Sequence, residues 1–386
     1  MRIIIEYLLK MIKKIYHFKK EYIIFQCHNP NLYCDNTKYL FEYLNKKRFK
    51  NCYWNTSSKK ISRYLKEKKY NYININENLI NFFFVTLKTK AVIDTGTKYF
   101  DPLNLISIDK SIKKITLYHG YGPKSVPYSK KNSRFKTIER KNHQSFDYIN
   151  CTTKFIEKNF IKNFKINKKN FLNYGFPRID HLKSKNKDNT FNYLTNIKSK
   201  NPKIILYTPT WRPYDIDFPL NYMPGMDYSK FQKFLIKKNM YFFYSQHSIQ
   251  DFKNKPSNYS RIIGINHLKY PFYDTTSFMK SVKILVNDYS ASSTDFSILK
   301  KPQLFYFPDF KKYNDYKGFL ENYKKNLIGF EIQNYNSFIK YIEACMKNKN
   351  FYLKKFDEKI NNYQVKYYKK SNNNSCELFK KFIKKI

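Results

Sequence analysis

The run VNDYSASSTDFSILKKP, Val286–Pro302, decides the fold. With the two residues before it, Ile284-Leu285-Val286 is a short apolar run, the end of a buried parallel strand. Downstream, Asp295-Phe296-Ser297-Ile298-Leu299 has helix-like apolar spacing and stops at Lys300-Lys301-Pro302, a helix-end signal. Ser292 followed by Asp295 fits a capping box. An Asp, a Tyr and a set of small hydroxyls thus sit where a strand feeds a helix. That is the carboxyl edge of a sheet, where open α/β folds bind ligands. Two readings fit the hydroxyls. The N–H groups and partial positive charge at a helix start suit a phosphate, or Ser292, Ser293 and Thr294 only cap the helix.

Strand and helix alternate on both sides of this run. Upstream, YIIFQC, NCYWNT, AVIDTG, KKIT and DYINCT read as strands, and TKYLFEYLNKK, KKISRYLKEKK and LINFFFVTLKT as helices. Residues 183–203 are polar and mark a boundary. The pattern then restarts with strands IILYTP, MYFFYSQ, KILVND and PQLFYF, and ends in a basic helix, CELFKKFIKKI. The expected architecture is α/β, with two Rossmann-like lobes facing a cleft. The expected divisions are an amphipathic helix over 1–20, a first domain over 21–185, and a second over 186–386 that includes the C-terminal helix.

At 386 residues, 42% hydrophobic and 19% aromatic, the chain fills two cores and is not disordered. Its 74 Lys+Arg against 29 Asp+Glu leave a formal charge of +45, which attracts anions: nucleotide donors, phosphate polymers, anionic lipids or nucleic acid. Overuse of Lys, Asn, Ile, Tyr and Phe also matches AT-rich codons. The charge is spread along the chain with no recognisable nucleic-acid module, which argues against a nucleic-acid-binding protein. The six cysteines form no zinc spacing and read as reduced, cytosolic thiols. No run is apolar enough to span a bilayer. The first 20 residues place Ile5, Leu8, Leu9, Ile12 and Ile15 on one face with Lys and Arg around it. That suits an anionic membrane surface on the cytoplasmic side, and equally a helix docked on its own domain.

Three further loops follow predicted strands. In YHGYGPKS, His119 is followed by Gly120 and Gly122, which allow close backbone approach, and by Lys124. In YTPTWRP, Thr208 and Thr210 flank Pro209, and Arg212 can bind a phosphate in bidentate fashion. In FYSQHS, His247 follows a strand of the second half. His17, His28, His143, His181 and His267 lack a glycine-turn setting. Walker, dinucleotide and nucleophile-elbow motifs are missing, which argues against an ATPase, a dinucleotide oxidoreductase or a common serine hydrolase.

These segments resemble, in order, the motifs of the CDP-glycerol glycerophosphotransferases, the teichoic-acid and capsule polymerases and primases. IIFQCHNPNLYCDNTKYLFEYL resembles their opening strand and D-N loop. HGYGPK resembles their H-G turn, NYGFPRIDHL their G-x-P-R-x-D element, and ILYTPTWR their strand before P-T-W-R. VNDYSASSTDFSILKKPQLFYF resembles their D-Y-S-S segment. The chain departs from the pattern at Ser248, Ala291 and Lys317. The resemblance implies a two-lobed glycosyltransferase-B fold and transfer of glycerol phosphate from CDP-glycerol to a hydroxyl of a lipid-linked or polymeric glycan, with release of CMP. CDP-ribitol or a nucleotide sugar is the alternative donor. The resemblance implies no cofactor or metal. His119 and His247 map onto the family's two essential histidines. The donor-side candidates are Gly120, Lys124, Thr208, Pro209, Thr210, Arg212, Asp288, Ser290, Ser292, Ser293 and Asp295. In this reading His119 is the general base, His247 stabilises the departing CMP, and Asp288 orients a histidine or accepts a polyol hydroxyl.

Overall fold

The computed structural model describes residues 11–12, 18–96, 100–103, 105–124, 133–186, 188–197, 202–212, 214, 216–245, 251–267, 269–368 and 374–386. The chain forms two compact units. One consists of Met1–His119, Thr137–Asp180 and Ser371–Ile386; the other of Gly120–Lys136 and His181–Lys370.

The first unit is built on seven parallel strands: β1 (Tyr22–Phe25), β2 (Cys52–Asn55), β3 (Tyr72–Ile73), β4 (Thr89–Asp94), β5 (Lys113–Thr116), β6 (Tyr148–Asn150) and β7 (Phe171–Leu172). Their order is β3-β2-β1-β4-β5-β6-β7. Parallel strands need crossover connections, and these lay helices on the sheet faces. The central strands are therefore covered on both sides and read as unbroken apolar runs; Ile23, Ile24 and Phe25 are all fully buried. Successive strands step outward from β1 to β3, and then the chain returns to pair β4 with the other edge of β1. The reversal opens a crevice at the carboxyl ends of β1 and β4.

The second unit repeats the plan with β8 (Lys203–Thr208), β9 (Met240–Tyr244), β10 (Ile262–Gly264), β11 (Val282–Asn287), β12 (Gln303–Tyr306) and β13 (Phe330–Ile332), in the order β10-β9-β8-β11-β12-β13. All pairings are parallel, and Asn287 lies beside Thr208 in register. The order reverses between β8 and β11, so this unit too has a crevice at a strand-order switch.

Helices Asp35–Lys46, Lys59–Glu67 and Leu79–Leu87 form where the sequence predicts them. Helices Ser133–Gln144, Lys154–Phe164 and Lys349–Tyr367, and the short edge strands β3, β7, β10 and β13, are not apparent in the sequence. The polar stretch 183–203 carries a short helix, Thr190–Thr195, anchored by buried Phe191 and Leu194.

The C-terminal helix, Ser375–Ile383, was expected in the second domain but belongs to the first unit. Ser375 Oγ and Cys376 N donate to Asp180 at 3.1 and 3.2 Å, and Tyr43 donates to Glu377. Phe379 and Phe382 set their rings against Tyr174 and Tyr148. An amphipathic helix shows an apolar stripe but not which surface takes it, so chain order misled the assignment. Conversely, Gly120–Lys136 belongs to the second unit. The amphipathic helix expected over 1–20 lies outside the described residues except at 11–12 and 18–20. Among the described residues no helix is long and apolar enough to cross a membrane.

Candidate active site

At the second unit's switch point, β8 ends on Thr208 and β11 on Asn287. Thr208 Oγ1 donates to Asn287 Oδ1 at 3.2 Å, and Asn287 Nδ2 donates to Ser290 O at 3.1 Å. Asp288 is fully buried. It accepts from Thr210 N and Oγ1 at 3.0 and 2.7 Å, from Tyr289 N at 2.5 Å and from Arg212 Nη1 at 2.5 Å. Arg212 also reaches across to Asp309: Nη2 donates at 3.0 Å and Nε at 3.1 Å. Its guanidinium lies 5.2 Å from the Tyr289 ring and 5.7 Å from the Tyr313 ring. Tyr214 and Tyr289 hydroxyls complete the shell of Asp309 at 2.6 and 3.0 Å. Burial works against the charge on Arg212, but Asp288 and Asp309 outweigh it and hold the guanidinium ionised. Burial likewise opposes the Asp309 carboxylate, and Arg212, Tyr214 and Tyr289 keep its pKa below the usual range.

Arg212 thus donates from Nε, Nη1 and Nη2 to protein acceptors, and its side chain has no exposure. The phosphate contact predicted for it is not what the geometry displays; Arg212 braces the β8 and β11 loops. Asp288, predicted to meet a histidine or a polyol hydroxyl, is the other half of that brace. The change has one physical cause. Asp309 lies 97 residues from Arg212, and a partner so distant in sequence turns a surface arginine into a buried one.

Around this brace sit the shorter groups. Ser290 and Ser292 are half-buried with their hydroxyl oxygens 3.0 Å apart. The helix Ser292–Ser297 has Ala291 at its N-cap and no side-chain cap bond, so the predicted capping box does not form. Asp295 is instead buried against the Tyr368 hydroxyl, and Ser293 is buried as well. Pro209 and Thr210 are buried behind them.

Gly120 has φ 124°, a conformation that glycine adopts without strain. Two residues on, Gly122 packs so closely on Ala291 that an added Cβ would lie 3.0 Å from the Ala291 Cα. Lys124 forms an antiparallel bridge with Phe319, and Leu320 N donates to Pro123 O at 2.8 Å. Gly122–Lys124, Ala291 and Phe319–Leu320, remote in sequence, are therefore joined in this unit. Burial lowers the Lys124 pKa to about 8, with Asp288 raising it and Arg212 lowering it further.

His119 ends the first unit. It is exposed, its ring stacks on Tyr118 at 4.8 Å, and Nδ1 lies 3.3 Å from Thr95 O. An Nδ1–H donated to that carbonyl leaves Nε2 as the proton-accepting nitrogen. Tyr118 has a left-handed backbone, φ 60°, and its carbonyl accepts from Asn36 Nδ2 at 2.8 Å. Asn36 Oδ1 accepts from Arg178 N at 3.2 Å, and Arg178 pairs with Asp35 at 2.8 Å. His247 lies outside the described residues.

Sequence reasoning passed over Asp309, and also the cluster at the first unit's switch point. There His28 N donates to Thr95 Oγ1 at 3.3 Å, and His28 Nδ1 lies 3.3 Å from Cys27 Sγ. Buried Asp94 accepts from Gln26 Nε2 at 2.8 Å and from Gly96 N, and burial raises its pKa to about 7. The available signal is position: His28, Thr95 and His119 all follow strands, although His28 lacks a glycine turn. Among the described residues no cluster of His, Cys, Asp or Glu could hold a metal ion.

The sequence profile of the CDP-glycerol:poly(glycerophosphate) glycerophosphotransferases matches residues 7–380, and the chain belongs to that family of transferases. It is 25% identical to a teichoic acid glycerol-phosphate transferase of Staphylococcus aureus (strain NCTC 8325 / PS 47), over 86% of each chain. It is 27% identical to a teichoic acid glycerol-phosphate primase of Bacillus subtilis (strain 168), over 80% of this chain and 77% of that one. Its fold is similar to that of a wall teichoic acid polymerase, TagF, with a TM-score of 0.77 and 20% identity over 99% of this chain and 92% of that one. Two doubly wound units in one chain are the glycosyltransferase-B plan.

Proposed function

We propose that the protein moves glycerol phosphate from CDP-glycerol to a hydroxyl of a lipid-linked or polymeric glycan, in the synthesis of a teichoic-acid-like or capsular polymer. The observation that carries the donor side is the convergence of Ser290, Ser292, Gly122–Ala291 and Lys124 around the β8–β11 switch point. The two hydroxyls and the ammonium suit a pyrophosphate. The Arg212–Asp288–Asp309 brace holds their loops in place and touches no donor. The acceptor oxygen bonds to the phosphorus bearing glycerol, and the bond from that phosphorus to the bridging oxygen breaks, releasing CMP. His119 Nε2 takes the acceptor's proton. His247 and Lys124 offset the charge gathering on CMP.

The protein works at the cytoplasmic face of the membrane, without crossing it. Its charge of +45 and the basic amphipathic pattern of residues 1–20 support this placement. The test is nucleotide release, followed in parallel as CMP from CDP-glycerol and CDP-ribitol and as UDP or GDP from the corresponding nucleotide sugars. CDP-glycerol is expected to turn over fastest. Equal activity with a UDP-sugar overturns the donor assignment, and preference for CDP-ribitol changes the polyol.

A further inference from the structure

We propose that His28 binds a phosphodiester at the end of the acceptor chain, which makes the first unit's switch point the subsite for a poly(glycerol phosphate) acceptor. This rests on the acceptor reading of His119 above and deepens it. Ligands of doubly wound sheets lie at the carboxyl edge where strand order reverses. In this unit that edge lies between β1 and β4, and His28 follows β1 as Thr95 follows β4. Thr95 ties both imidazole residues to this edge: its hydroxyl accepts from His28 N at 3.3 Å, and its carbonyl lies 3.3 Å from His119 Nδ1.

The chemistry displayed there is selective. His28 and His119 are exposed, whereas the carboxylates are engaged: Asp35 with Arg178, and fully buried Asp94 with Gln26 and Gly96. Cys27, Asp35 and Asp94 face His28 and favour its protonated form, Cys27 most, while desolvation of the ring opposes it. The edge therefore places a protonatable imidazole beside the proposed proton acceptor. A glycerol phosphate chain end offers the complement, a terminal hydroxyl with an anionic phosphodiester close behind it. A neutral sugar hydroxyl has no use for the second imidazole.

The experiment measures kcat/KM of the full chain, with CDP-glycerol as donor, for three acceptors: glycerophosphoglycerol, a neutral methyl glycoside, and a glycosyl lipid diphosphate without glycerol phosphate. His28→Gln should lower the preference for glycerophosphoglycerol over the neutral acceptor by about tenfold, the scale of one charged hydrogen bond. His28→Lys, which keeps a cation, should restore most of it. An unchanged preference in His28→Gln, or a loss that His28→Lys does not restore, overturns the proposal. A loss confined to the lipid diphosphate moves the contact to the primer and overturns the assignment to the chain end. Failure of the base reading has a different signature: His119→Ala would keep its turnover on every acceptor while the His28→Gln selectivity change persisted.

Discussion

The two switch points share a topology and differ in how their charges are held. In the second unit Arg212 is locked between Asp288 and Asp309 and roofed by tyrosines, with no exposure. Among the described residues, the Ser290 and Ser292 hydroxyls and half-buried Lys124 stand at its edge. In the first unit no such lock holds the imidazoles: His119 Nδ1 lies 3.3 Å from Thr95 O, and His28 Nδ1 lies 3.3 Å from Cys27 Sγ. The difference separates two demands. A donor's pyrophosphate keeps its charge throughout binding and is best met by a fixed frame, whereas an acceptor must lose a proton and needs a base beside it.

Mutations can break this contrast. His119→Ala should cost on the order of 10²–10⁴ in kcat for CMP release while donor affinity changes little. Near-normal turnover would remove His119 as the base. Arg212→Ala leaves two carboxylates buried without their cation and should destabilise the fold by about 3–5 kcal/mol, read as a lower urea midpoint. A loss of donor affinity at unchanged stability would instead return Arg212 to the phosphate.

The smallest effect is expected from pH. Lys124 has a folded pKa of about 8, below its ordinary value, so its charge is present below that pH and lost above it. Donor affinity should therefore weaken as pH rises through about 8, and Lys124→Arg should flatten the profile. For stability the sign is opposite. The folded state disfavours the ammonium, so this residue's destabilising contribution fades as pH rises from about 8 towards the unfolded pKa. A donor affinity that is flat with pH in the unaltered protein would remove Lys124 from the pyrophosphate.

Much of this architecture is legible in the sequence because parallel strands buried on both faces leave unbroken apolar runs such as Ile284-Leu285-Val286. The loops after strands could be found by the same logic. What stayed hidden depends on pairing at a distance. Nothing local ties Arg212 to Asp309, or shows that His28 follows a central strand and lies at a sheet's reversal. Helix Ser133–Gln144 escaped because its sequence, SRFKTIERKNHQ, is dominated by polar residues. The edge strands β3 and β7 have two residues each, too short to show a period.

The docking of Ser375–Ile383 on the first unit has a consequence for biosynthesis. The ribosome delivers Asp180 long before Ser375, which binds it from 195 positions downstream. At about 5–20 residues per second that interval is roughly 10–40 s. Throughout it the surfaces of Tyr148 and Tyr174 that receive Phe379 and Phe382 stand uncovered while the whole second sheet is still being made. The nascent chain carries an unfinished first unit until Ser375–Ile383 has been made, and that apolar surface is where a chaperone would find it.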